Sequence, residues 1–256
     1  MLKNDLLANK LHVPQLRTKL VPRPHVVDLL EQGTQRALTL ISAPAGSGKT
    51  TLLSSWLHDA EVMASWLSLD SHDNDLHRFW AYVLAALDML YPGTFKDAQE
   101  TLKAMRLRQS LPIEDVLTIL VNDLVDLEDE VMLILDDYHE IITPAIHTSL
   151  AFLLDHLPAQ VHLFIVGRSD PPFSLARLRT NNQLVEIRTD DLQFSLSEAT
   201  LFFNDVMGLH LTTEEIAALA PMWLAYLGIA ELYREWNRLH QAESSALQVL
   251  KLGDEW

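Results

Sequence analysis

Residues 43 to 50 read Ala-Pro-Ala-Gly-Ser-Gly-Lys-Thr, an order of residue types suited to holding phosphate. Gly46 and Gly48 allow the backbone to curl so that successive N–H groups converge on anionic oxygens. Lys49 then reaches the β- and γ-phosphates, and the Thr50 hydroxyl can ligate Mg²⁺. The match to G-x-x-x-x-G-K-[ST] has Ala43 in place of the first glycine. Pro44, Ala45, Gly46, Ser47, Gly48, Lys49, Thr50 and Thr51 are therefore the candidate contacts to ATP or ADP. A glycine-containing turn with a solvated lysine is the alternative, but an apolar strand precedes this loop and an amphipathic helix follows it. Downstream, Val131 to Leu135 (VMLIL) runs into Asp136 and Asp137. A carboxylate at a strand's end suits the metal and its water shell, which is the place of Asp136. Asp137 could act as general base toward an attacking water, or could simply cap the next turn. Arg168, after the next apolar run, could lie beside the γ-phosphate; a surface salt bridge is its plainer reading.

These residues need elements to bring them together. Ala37 to Ser42, Val62 to Leu69, Val131 to Leu135, Val161 to Val166 and Val185 to Ile187 read as strands. Between them, Val26 to Gln32, Thr50 to Ala60, a helix capped by Asp75, Ile113 to Leu127 and Pro144 to Leu157 read as helices. Strands apolar on both faces and alternating with helices imply an α/β fold, a mainly parallel sheet covered by helices. Such sheets present ligands at the carboxyl ends of their strands, where all the candidate residues fall. Pro14, Pro22 and Pro24 make the first 24 residues an extended arm. Asp70 and Asp73 could approach the site. His72, His77, His139 and His147 lack metal-ligand spacing and read as structural, and Trp56, Trp66 and Trp80 read as core. After Ser195 the texture is helical, with Ser195/Glu198 and Thr212/Glu215 spaced as capping boxes.

Composition narrows the options. Hydrophobic residues make up 48% of the 256, so a packed core is expected. A formal charge of −16 opposes direct nucleic-acid binding over the general surface. The absence of cysteine rules out disulfides and thiolate metal sites. Met1 to Lys10 lacks the apolar core of a signal peptide, and no stretch approaches the ~18 apolar residues of a membrane span. The expectation is a cytoplasmic protein with no membrane partner.

KLHVPQLRTKLVPRPHVVDLL, ISAPAGSGKTTLLSSWL, ASWLSLDSHDNDLHRFWAYVLAAL, LILDDYHEI and VGRSDPPFSLARLR occur in this order. Together they resemble the N-terminal ATPase of the MalT-type, large LuxR-like regulators, a branch of the STAND signalling ATPases. The resemblance covers about residues 9 to 215. It implies a P-loop NTPase fold in which Lys49 and Thr50 are the Walker A lysine and hydroxyl, Asp136 the Walker B acid and Arg168 the sensor arginine. It also implies that Val21 and Arg23, in the arm before the P-loop, lie against the adenine. Family members are switches with slow ATP turnover, closed with ADP and self-associating with ATP and an inducer.

The implied organisation is a P-loop NTPase domain over 1–194, a partial helical lid over 195–222 and a helical hairpin over 223–256. Ala230, Tyr233, Asn237 and Ala242 fit one tetratricopeptide-like unit in that hairpin, though an ordinary amphipathic hairpin has the same periodicity. The residues past Ala220 are not expected to hold the family's remaining lid, its winged-helix domain or a helix-turn-helix reader, which also fits a shortened derivative of a larger transcriptional regulator. The expected function is an ATP-binding signalling module with slow hydrolysis, whose C-terminal helices meet a protein partner or a second copy. A scaffold with nucleotide as structural cofactor is the rival, and a small-molecule kinase would require an acceptor motif not found here.

Overall fold

A computed structural model of the chain describes residues 6–16, 20–108 and 112–218. The hairpin expected over 223–256, and the end of the segment 195–222, lie outside the described residues. In chain order the elements are α1 (Pro24–Gly33), β1 (Leu38–Ser42), α2 (Lys49–Asp59), β2 (Ser65–Ser68) and α3 (Leu76–Leu90). There follow α4 (Lys96–Arg108), α5 (Ile113–Val125), β3 (Val131–Asp136), α6 (Pro144–Asp155) and β4 (Val161–Gly167). Last come α7 (Ala176–Thr180), β5 (Leu184–Ile187), α8 (Thr189–Leu192) and α9 (Leu196–Leu201).

The five strands form one sheet in the order β2-β3-β4-β1-β5, and every pairing is parallel. Register aligns Ser42 with Gly167 and Ser68 with Asp136, so the loops after β1, β3 and β4 open on one side of the sheet. Each strand feeds two cores because its side chains alternate faces. Leu133, Leu135, Leu163 and Ile165 join α3, α4, α5 and α6 on one face. Met132, Ile134, Phe164 and Val166 join α1 and α2 on the other. Burial of each such Leu or Ile contributes about 1.5–3 kcal/mol. Two-sided packing is why these strands read as continuous apolar runs. Trp56, Trp66 and Trp80 are all buried, as expected of core residues.

Gly33, at the end of α1, sits where a Cβ would lie 2.3 Å from Thr39 Oγ1 and 3.0 Å from the Phe164 ring. Only glycine lets this helix close on the sheet. Asp75 caps α3 through the Arg78 N–H at 2.9 Å. The Ser195/Glu198 and Thr212/Glu215 boxes also form. Several elements went unread in the sequence, among them the short helices α7 and α8. The α4 helix is mostly polar, and Ala98, Leu102 and Met105, with Phe95 just before it, three or four apart, mark its buried stripe. The arm is not wholly extended, because Ala8–Leu11 makes a 3₁₀ turn that buries Lys10. None of the described helices is long and apolar enough to cross a membrane.

Candidate functional site

Between β1 and α2 the chain turns through Gly46 and Gly48, at φ 79° and 80°. Space for a Cβ exists at Gly48; its backbone angle is what favours glycine there. Lys49 opens α2 and is only 8% exposed. Its Nζ donates to the carbonyls of Ala43 and Pro44, both at 2.8 Å, and to Ser47 Oγ at 3.2 Å. The ammonium thus lies within the loop, on contacts that phosphate oxygens could replace.

Asp136 ends β3 and is 2% exposed. Its Oδ2 accepts from the Thr50 hydroxyl at 2.9 Å, bringing together the two residues expected to share a metal. Its Oδ1 accepts from the Asp137 N–H at 3.0 Å. Burial, with the Asp137 carboxylate adding to it, pushes the Asp136 pKa up to about 7. The Thr50 and Asp137 hydrogen bonds and Lys49 only partly oppose that rise. A divalent cation there would have to displace a proton, and would offset the burial penalty in its place. Among the described residues no group of three or more His, Cys, Asp or Glu could hold a metal. One carboxylate and one hydroxyl fit Mg²⁺, which commonly takes its other ligands from phosphate and water.

Asp137 adopts φ 58°, in the left-handed region that few non-glycine residues occupy. Its side chain is half exposed, and partial burial raises its pKa while His139, Lys49 and Arg168 pull it down. Those opposing cations place the candidate base, the P-loop lysine and the candidate sensor arginine in one field. Arg168 follows β4, is exposed, and makes no hydrogen bond or salt bridge among the described residues. An open cleft of about 470 Å³ runs along Ser42, Ala43, Pro44, Arg168, Arg188, Thr189 and Asp190.

His139 was expected to be structural, yet it lies against this site. Its side chain is 11% exposed, with Nδ1 3.9 Å from Asp137 and Nε2 3.3 Å from Glu140. Neither ring nitrogen makes a hydrogen bond, and burial lowers its pKa. A Cβ on Gly167 would come within 3.5 Å of the His139 backbone N, so the ring's loop sits directly on β4. The spacing Asp-Asp-Tyr-His was the only signal that could have drawn attention to it.

Val21 is half-buried, and neither it nor Arg23 lines the cleft. The Arg23 guanidinium instead donates to the carbonyls of Asp191, Leu192 and Gln193 at 3.2, 2.8 and 2.7 Å. It also pairs with Glu198 at 3.4 Å and stacks over Phe194. This side chain fastens the arm to the segment around α8 and α9. Asp70 and Asp73 likewise turn to a structural partner, Lys10, at 2.7 and 2.5 Å.

No family model matches the chain. The HTH-type transcriptional regulators MalT of Vibrio campbellii and Vibrio cholerae are each 35% identical to it over 198 residues, 77% of this chain and 22% of theirs. MalT of Klebsiella pneumoniae is 34% identical over 199 residues, 78% of this chain and 22% of the relative. The chain therefore spans under a quarter of the length of the curated relatives it matches. A crystal structure of a signal transduction ATPase with numerous domains (STAND) protein with a tetratricopeptide repeat sensor, from Pyrococcus horikoshii, superposes with a TM-score of 0.52. That match is at 17% identity over 84% of this chain and 29% of the other, and it speaks for the fold. The parallel five-stranded sheet with its flanking helices has the P-loop NTPase fold, and the chain is similar in sequence to the MalT regulators over about three quarters of its own length.

Proposed function

We propose that this chain is the nucleotide-binding module of a signalling regulator, taking ATP or ADP with Mg²⁺ and hydrolysing ATP slowly. The observation that carries the reading is the Thr50–Asp136 pair, a buried carboxylate held by a hydroxyl and one N–H, set beside the Lys49 loop. The likeness to full-length transcriptional regulators supports a regulatory setting, and the cytoplasm as its place. Main-chain N–H groups from Ala45 to Thr51 cradle the phosphates, and Lys49 exchanges its carbonyl contacts for phosphate oxygens. Thr50 and Asp136 would hold the metal, which would supply charge neutralisation for the phosphates. Asp137 orients water and takes its proton, helped by a pKa above the ordinary carboxylate value. Arg168 balances charge developing on the terminal phosphate.

Val21 and Arg23 bring the arm to the adenine side, with Arg23 bracing it on 191–198. Residues 195–222 begin a lid, and 223–256 supply the surface for a protein partner or a second copy. Calorimetric titration with ATP and ADP tests the site. Lys49→Ala should weaken affinity by about 100-fold or more, since a buried charge-assisted contact is removed. Unchanged affinity would overturn the assignment. Phosphate release by the intact protein then separates the switch from a scaffold that holds nucleotide without turning it over.

A further inference from the structure

Asp137 holds a left-handed backbone at the start of a short loop, and that conformation persists only if its surroundings impose it. The loop's own bonds, Glu140 N–H to Asp137 O and Ile141 N–H to Tyr138 O, close it locally at 3.0 Å each. From the α6 side, the Tyr138 hydroxyl and His147 Nδ1 are 2.7 Å apart. At the far end a single side chain does most of the holding. Asn74 Nδ2 donates to the Glu140 carbonyl at 2.8 Å. Its Oδ1 accepts from the Ile142 and Thr143 N–H groups at 2.7 and 3.1 Å. Thr143 Oγ1 answers by donating to the Asn74 carbonyl at 2.7 Å. Both ends of one amide are therefore committed to the loop that begins at the candidate base.

Asn74 is itself fixed by its neighbour. Asp73 is fully buried and accepts from Lys10 Nζ, from the Asp70 N–H at 2.9 Å and from Arg78 Nε at 3.2 Å. Lys10 belongs to the N-terminal arm, where the Leu7 N–H also donates to the Tyr82 hydroxyl at 3.1 Å. A continuous set of contacts thus runs from the arm through Asp73 and Asn74 to the 137–143 loop.

We infer that Asn74 is a positioning residue for Asp137, and that Lys10 makes the docked arm part of that positioning, so that arm docking governs hydrolysis more than nucleotide affinity. The inference rests on the proposed ATPase reading for its kinetic arm alone. Asn74→Ala should lower kcat for ATP hydrolysis by about 10-fold or more, while ATP affinity stays within about two-fold. Asn74→Asp, which keeps the acceptor for Ile142 and Thr143, should recover part of the rate. Lys10→Met should lower kcat by about three-fold, and its effect should largely vanish in the Asn74→Ala background. Hydrogen exchange at the Ile142 and Thr143 amides should quicken in Asn74→Ala and Lys10→Met.

Equal losses in affinity and rate would overturn the inference, as would additive effects in the double variant. Should the wild-type chain bind nucleotide and release no phosphate, the ATPase reading fails on its own. The exchange measurement still decides the linkage in that case, and unaltered exchange in Lys10→Met would sink it. If Asn74→Ala does not fold, Asn74→Asp and Lys10→Met decide the same question through exchange and rate.

Discussion

Asp73 and Asp136 lie beyond or at the ends of neighbouring strands and are equally hidden from water, at 0% and 2% exposure. The chain treats their charges in opposite ways. Asp73 meets two cations, Lys10 at 2.5 Å and Arg78 at 3.2 Å, and a backbone N–H besides. Asp136 meets a hydroxyl and one N–H, and its pKa stands at about 7. Buried charge is costly unless it is paired. Where the carboxylate is a structural tie, the protein supplies the cation. Beside the phosphate loop, Lys49 only partly offsets the burial of the carboxylate, which leaves charge for a cation to balance in the proposed nucleotide site. The difference offers a way to tell a structural acid from a ligand-binding one when burial alone does not.

The sharpest way to break this comparison is to neutralise both acids. Asp73→Asn leaves Lys10 buried with only the half-exposed Asp70, and should cost about 3–5 kcal/mol. In a chain of this size that corresponds to a Tm lower by roughly 6–20 °C by calorimetry. Asp136→Asn should do the reverse. The Asp136 pKa of about 7 lies above the ordinary 3.8, so the group favours the folded state at low pH and loses that contribution as pH rises through 7. At pH 8, without nucleotide or Mg²⁺, Asp136→Asn should therefore gain roughly 2–4 kcal/mol by denaturant titration, and less at pH 5. Loss of stability in both variants would erase the distinction.

A smaller effect sharpens it. If Asp136 holds Mg²⁺ as proposed, the metal must displace its proton, so metal affinity in the presence of ADP should be about tenfold weaker at pH 6 than at pH 8. Asp136→Asn should remove that dependence. A flat pH profile in the wild-type chain would place the metal elsewhere.

The same contrast explains what could be read from the residues alone. Lys49, Thr50 and their glycines are contiguous, and Asp136 follows an unbroken apolar strand, so short-range spacing carries the phosphate side of the site. The sheet was legible because strands buried on both faces leave runs such as VMLIL. The structural ties were not legible. Lys10 finds Asp73, and Asn74 finds Thr143, across stretches of chain with no periodic relation. Asp70 and Asp73 appeared only as acids near the site. Arg23 drew attention through its place in the arm, but its guanidinium goes to carbonyls at 191–193, and carbonyls leave no mark on a sequence. The α4 stripe escaped notice because four apolar residues among polar ones suffice when a helix packs mainly on a neighbouring helix.

The strand order carries a consequence for synthesis. β1 is the first of the five strands to leave the ribosome and lies inside the finished sheet, where Leu38 pairs with Leu163 on one side and Leu184 on the other. At roughly 5–20 residues per second, many seconds pass before either neighbour has been made. Parallel pairing over such separations is also intrinsically slow. For that interval an apolar strand and the glycine loop behind it have no sheet to join. The nascent chain therefore carries this apolar strand unpaired until β4 and β5 have been made, well before nucleotide could stabilise it.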